Sequence, residues 1–233
     1  TEYEAGVEMG KFFADKGIKT AAIYGAFIPN PMHVYRTAGV LAGLGLSYGG
    51  ATTEEDVVGL IFADQGIDLS KISGDIKIVS YLQGYGDTTT DEINAAIQAA
   101  PEAFISVGMA TTFFTQQLNA AGIEFSDIDS FTKSNGEAIT NGKLVYLAGK
   151  YSSSVGPAFA LVMNAINGNV IRDAQGNAVS LSQNYQVATD SETFDKFYKN
   201  DNGDNPIYSR DTLDQIIGDT VTFDTINEVV ASN

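Results

Sequence analysis

The chain has 233 residues, 44% of them apolar, which is enough to bury a sizeable core in one large domain or two small ones. With 13 Lys and Arg against 29 Asp and Glu, its formal charge of -16 repels phosphate backbones and anionic lipid surfaces, and no basic stripe offsets this; nucleic acid is excluded as an expected partner. The lack of cysteine rules out disulfides, thiolate metal sites and cysteine nucleophiles together, and no stretch reaches the roughly eighteen unbroken apolar residues that a membrane span needs.

In chain order, Tyr3, Met9, Phe12 and Phe13 already follow a helical repeat, with no initiating Met and no basic-then-apolar leader before them. KTAAIYGAF (19–27) is an apolar run of the buried-strand type, and NPMHVYRTAGVLAGLG is a helix entered through Asn30 and Pro31. SYGGATTEEDVVGLIFADQGIDLSKISGD (47–75) reads as a Gly-rich loop, a helix with Glu54, Glu55 and Asp56 in its first turn, and a polar stop, inserted between two core units. IKIVSYLQGY (76–85) is the next strand, GDTTTDEINAAIQAA the next helix, and AFISVGM (103–109) a third strand after the Pro101 break. TTFFTQQLNAAG (111–122) is a helix with a Gly stop, IEFSDIDSF a strand, SNGEAITNG a short helix, and LVYLAGKY (144–151) a fifth strand.

The character changes at Ser152. SSSVGPAFALVMNAING is a helix apolar nearly all round, and NVIRDAQGNAVSLS is two strand-like runs about a Gln-Gly-Asn turn. YQVAT reads as a strand, and SETFDKFYKN, SRDTLDQIIG and TFDTINEVVAS as helices, the first and last entered through Ser or Thr caps. Strands alternating with helices give an α/β fold with a three-layer, doubly wound, mainly parallel sheet. The divisions are an α/β domain over 1–150, a helix and hairpin over 151–182, and a returning strand with a helical tail over 183–233.

Few residues suggest chemistry. Gly84-Tyr85-Gly86-Asp87-Thr88-Thr89 has the setting of a dinucleotide loop, but Thr89 stands where the third glycine belongs, and no GxxxxGK[ST] occurs. A tight turn capped by Asp or Thr is the expected structure, with no cofactor. His33 is the sole histidine, at a helix start beside Pro31 and Arg36, and no GxSxG elbow accompanies it, so a surface or ligand-contacting role is expected over catalysis. Asp201 and Asp204 in KNDNGDNP lack the spacing of a calcium loop and read as a solvated turn, with no metal. Tyr151-Ser152-Ser153-Ser154 fits either the lining of a polar pocket or a helix cap. Asp127 and Asp129 share one face of a strand near its carboxyl end, where either could take hydroxyls, although solvent-facing carboxylates are the plainer expectation.

Taken together, several phrases resemble the type I periplasmic solute-binding proteins, the group of ribose-binding and related components of ABC importers. TEYEAGVEMGKFFA resembles a D-x-x-x-x-G-x-x-x-G helix, with Gly6 and Gly10 matching and Thr1 in place of the acid. Arg36-Thr37-Ala38-Gly39 resembles an R-x-x-G helix start, while APEAFISVGMATTFFTQQLNAAGI and AITNGKLVYLAGKY resemble later strand-helix phrases of the family. The resemblance covers most of the chain. It implies the second lobe of a two-lobed protein with the N-terminal lobe absent, extracytoplasmic and either free or tethered as a lipoprotein, which binds a small polar solute, sugar-like or nucleoside-like, without catalysis and is recognised by a membrane ABC permease.

By the same resemblance Arg36 matches a ligand-contacting arginine, Tyr85 a sugar-stacking aromatic, Asp129 an aspartate that takes hydroxyls, and Lys150 a polar residue near the hinge. Gly108 and Met109 replace an Asn-Asp pair that would grip hydroxyls, so Met109 is expected to face a less polar ligand. The apolar helix over 155–167 is expected to fold back on the sheet, or to be covered by the absent lobe or a second copy. A ligand-sensing domain of a transcription regulator or receptor shares this fold and is the second reading; a small α/β enzyme is the third.

Overall fold

The computed structural model describes residues 1–85, 87–203 and 206–232, and the side chains of residues 87–89 lie outside that description. Helix α1 (Glu2–Asp15) starts at a reciprocal capping box between Thr1 and Glu4, and strand β1 (Thr20–Tyr24) follows it. Helix α2 (Pro31–Gly43) is capped by the Asn30 side chain with Pro at its first position, as the sequence implies. The 47–75 segment holds helix α3 (Glu54–Asp64), capped by Thr53, between strands β2 (Ser47–Tyr48) and β3 (Ile72–Ser73). These two pair antiparallel as a separate ribbon, too short to leave a pattern in the sequence.

Strand β4 (Lys77–Leu82), helix α4 (Asp87–Gln98) and strand β5 (Ala103–Ser106) come next. The expected helix over 111–122 is two pieces, α5 (Ala110–Phe113) and α6 (Thr115–Ala121), broken at Phe114, whose φ of -126° leaves the helical region. Phe114 is buried edge-on against Tyr24, with ring centroids 4.9 Å apart, so packing on β1 outweighs helix continuity. Strand β6 (Glu124–Ile128), helix α7 (Lys133–Asn141) and strand β7 (Leu144–Gly149) complete the five expected crossover strands.

After β7 come helix α8 (Gly156–Ile166), strand β8 (Gln186–Ala188), and helices α9 (Ser191–Asn202), α10 (Arg210–Asp214) and α11 (Phe223–Ala231). The first of those C-terminal helices is capped by Asp190, not by a Ser or Thr, whereas Thr222 caps the last. Of the expected 169–182 hairpin only the bridge Arg172–Ala178 forms, about a turn held by Asp173, whose carboxylate accepts from the Gln175 and Asn177 amides.

The sheet has the order β4-β1-β5-β6-β7-β8, parallel throughout except for β8, which runs antiparallel to β7. Buried apolar strands with helices against both faces place the core where the runs of alanine, isoleucine and phenylalanine require it, around Ile23, Tyr24, Phe104, Ile105 and Phe125. Helices α1 and α2 lie in near backbone contact. A methyl group on Gly6 would strike the Arg36 carbonyl, and one on Gly39 the Tyr3 carbonyl; Gly10 and Gly43 interlock in the same way one turn on. The glycine spacing is therefore a packing device, in which four residues without Cβ let two helices close on each other.

A second, smaller core gathers Ala160 of α8 with Ile216 and Ile226. The expectation that α8 folds back on the sheet is corrected: one face packs on the α10–α11 segment instead. Buried Asn164 fixes that packing by donating to the Ile216 carbonyl at 2.8 Å and accepting from the Gly218 amide at 2.8 Å. The opposite face, carrying Val155, Phe159, Val162 and Ile166, is exposed. The pairing stops there because a helix apolar all round has more surface than the short α10 and α11 can cover.

Candidate ligand site

With β1 between β4 and β5, the winding direction reverses at β1, so the loops leaving β1 and β5 diverge and open a crevice beyond the strands' carboxyl ends. The β1 loop supplies Phe27 and the start of α2, and the β5 loop supplies Gly108, Met109 and α5. Met109 sits at φ 70°, a left-handed backbone that costs a non-glycine residue on the order of 1 kcal/mol, and its side chain is partly exposed.

Three aromatic rings form a shelf on this edge. Tyr85, leaving β4, lies parallel to Phe113 of α5, with an interplanar angle of 10° and centroids 5.5 Å apart, and its ring centroid is 6.0 Å from that of Phe27. Rings stacked this way usually bury each other, yet Tyr85 remains 55% exposed and Phe27 48%. Helix α5 links the shelf to the acids of β6. The Thr111 hydroxyl lies 2.7 Å from Asp127 Oδ2 and 3.0 Å from Asp129 Oδ2, so two carboxylates share one hydroxyl proton.

The two acids share a face, as their spacing requires, but their environments differ. Asp127 is fully buried, which corrects the expectation of a solvent-facing group; it accepts from Ser106 Oγ and from the Thr111 and Ile128 amides. Burial pushes its carboxyl up to about 6 against these hydrogen bonds, with the Asp129 charge adding to the rise. Asp127 is thereby a fixture of the β5–β6 edge. Asp129 is partly exposed beyond it and accepts from the Ser130 amide at 2.7 Å.

Arg36 and Lys150 come together away from the shelf. Arg36 is buried, with Nε donating to Glu2 at 2.7 Å, Nη1 to the Val107 carbonyl at 2.9 Å, and Nη2 to the Tyr185 hydroxyl at 2.6 Å. Tyr185 in turn donates to Glu2 at 2.8 Å, and Lys150 Nζ lies 3.8 Å from Glu2 and 4.5 Å from the Tyr185 ring centroid. Burial opposes ionisation of Glu2, but Arg36, Tyr185 and Lys150 outweigh it and hold the carboxyl below its ordinary range. This network ties α1, α2, the end of β5 and the return into β8 to one another.

His33 is buried beside it, with Nδ1 3.0 Å from the Phe27 amide and carbonyl, and burial lowers its pKa. Its Nε2 and Arg36 Nη1 both come close beneath Gly108, at 3.6 and 3.5 Å from where a Cβ would stand. Among the described residues, the hydrogen-bond partner of this imidazole is the Phe27 backbone. The Asp87, Thr88 and Thr89 side chains, Gly86 and Asp204 lie outside the described residues, while Asp201 accepts from the Ser152 amide and hydroxyl. Ser154 lines a cleft, but the expected helix cap does not form: α8 is entered through Val155 with no side-chain cap, and Ser152 is tied to Asp201 instead. Among the described residues no three metal-ligating side chains gather.

That cleft, of about 810 Å3, separates the β7–β8 edge from the α10–α11 body and is lined by Ser180, Ser182, Gln183, Asn184, Tyr208 and Asn227, among others. Glu2, Tyr185, Phe27 and Phe113 had no signal in the sequence. Each is an ordinary residue at a helix start, a loop or a short helix, and only the fold brings them to this edge.

No family model matches the sequence, and no curated protein matches it. Solved structures do. The periplasmic binding protein component of the arabinose ABC transporter from Shewanella sp. ANA-3, bound to L-arabinofuranose, superposes with a TM-score of 0.57 at 18% identity, over 85% of this chain and 60% of that one. A galactofuranose binding protein gives 0.58 at 11% identity, over 86% and 62%. The fold is that of a type I periplasmic binding protein lobe. A complex of the TorS sensor domain with TorT gives 0.52 at 12% identity, over 81% and 56%. The chain thus spans about 60% of the length of these two binding proteins, as one lobe would. No helix among the described residues is long and apolar enough to cross a membrane.

Proposed function

We propose that this chain is the second lobe of an extracytoplasmic solute-binding component of an ABC importer, and that its ligand docks on the carboxyl edge of β4, β1, β5 and β6. The observation that carries this is the shelf of exposed Phe27 and Tyr85, backed by partly buried Phe113, at the reversal point of the sheet, where a ring face finds aromatic partners already in place. Tyr85 and Met109 supply apolar contact, and Asp129 accepts a hydrogen bond from the ligand. Arg36 and Lys150 act through Glu2 and Tyr185, holding the crevice floor and the return of the chain in register. A preceding lobe covers the exposed face of α8 and closes over the ligand, and a membrane permease recognises the closed form.

The described residues of the cluster offer stacking and hydrogen-bonding groups, and the similar structures are named as binding proteins. A second reading, coupling to a sensor protein in place of a permease, is favoured by the TorT–TorS complex among the similar structures. Both readings use the same ligand edge. A thermal-shift panel of sugars, nucleosides and amino acids on this chain tests it: one class raises the melting temperature, and Tyr85→Ala or Asp129→Ala abolishes the rise. Binding that survives both substitutions, or conversion of the bound compound into product, would overturn the proposal.

A further inference from the structure

Among the described residues, several polar groups along the crevice are already engaged within the protein. Gln83 accepts from Tyr81 and donates to the Gln65 carbonyl, and Asn30 caps α2. Thr111 and Asp127 bond to each other, three guanidinium nitrogens of Arg36 are taken, and His33 Nδ1 is held by Phe27. Among the described residues, Asp129 is a carboxylate on this edge with exposed surface and acceptor capacity to spare. Against this stand four partly exposed apolar side chains, Phe27, Met32, Tyr85 and Met109, with Phe113 behind Tyr85. A polyhydroxylated ring would bring many donors and acceptors to a surface with few free partners, and each one left unpaired on burial opposes binding.

We infer that the ligand of this edge is a flat aromatic or heteroaromatic ring, stacked on Tyr85 in line with Phe113 and directing one N–H or O–H donor to Asp129. A ring face needs no hydrogen bonds. It gains from the aligned Tyr85–Phe113 pair and the polarisable thioether of Met109, while a single donor satisfies Asp129. The inference rests on the reading of this edge as the ligand site and names the class of compound that fits it.

The four methionines make the test local: Met109 and Met32 border the crevice, Met9 is in the main core, and Met163 is on α8. The chain is labelled with 13C at the methionine methyls and titrated separately with adenine, indole, L-arabinose and D-galactose. The expected result is a saturable upfield shift of Met109 with adenine, Met9 and Met163 unmoved, and no saturable shift with either sugar. Tyr85→Ala weakens the adenine response about tenfold, the loss of one stacking partner, and Asp129→Asn weakens adenine and indole alike, since each directs one N–H to that carboxylate. An unchanged Met9 signal certifies that each variant is folded.

Saturation of Met109 by a sugar, sensitive to Tyr85→Ala and with no response to adenine or indole, would overturn the inference and leave the ligand edge standing. If no compound of either class moves Met109, or if the shifts ignore Tyr85→Ala, the inference and the placement of the site fall together.

Discussion

Asp127 shows how one residue ties the site to stability. Its folded-state carboxyl titrates near 6, above the ordinary aspartate range, so between about pH 4 and 6 the folded chain holds a proton that the unfolded chain has released. Stability from this group is therefore full below pH 4 and declines as pH rises through 6, by on the order of 2–3 kcal/mol. Denaturation of wild type and Asp127→Asn across that range should show the wild type losing stability relative to the variant as pH rises; parallel curves would refute the assignment. At acid pH the variant is the weaker of the two, since an amide nitrogen in place of one oxygen faces a backbone donor. The sequence placed Asp127 and Asp129 on one face by strand period alone, but it carried no sign that one is sealed and the other open. That difference comes from α5, whose Thr111 covers Asp127 from a different part of the chain.

Among elements, the α1–α2 pair gives the sharpest contrast. Gly39→Ala must force the helices apart, because the added methyl meets the Tyr3 carbonyl; a loss of about 1–3 kcal/mol is expected in denaturant melts. Gly59→Ala in α3, where nothing lies within 4 Å of the new methyl, should gain about 0.5–1 kcal/mol from helix propensity. A Gly39 variant as stable as wild type would remove the close-contact account. Both glycines look alike as letters. Strands β1, β4, β5, β6 and β7 were readable from their short apolar runs, because a parallel sheet buried on both faces demands them. The break at Phe114 was not, since the ring's pull toward Tyr24 is a tertiary force on a locally helical sequence.

At the scale of the molecule, two cores of unequal size share one chain. The smaller depends on Asn164, whose removal in Asn164→Ala leaves the Ile216 carbonyl and the Gly218 amide unpaired and should cost about 1–3 kcal/mol. Val162→Glu, on the exposed side of α8, should leave stability within about 0.5 kcal/mol of wild type in the same melts. Equal effects from the two substitutions would mean that α8 is packed differently. Because both faces of α8 are apolar, composition alone could not say which one the protein covers.

Alternation of apolar runs with amphipathic segments determined the α/β class and the number of crossover strands, because both follow from local period and backbone stereochemistry. The gathering of Phe27, Tyr85 and Phe113 into one shelf, the diversion of Arg36 and Lys150 onto Glu2, and the sealing of Asp127 were decided only in three dimensions. Each joins residues from separate crossover units, and the distances between such residues are set by the winding of the sheet, which no short stretch of sequence contains.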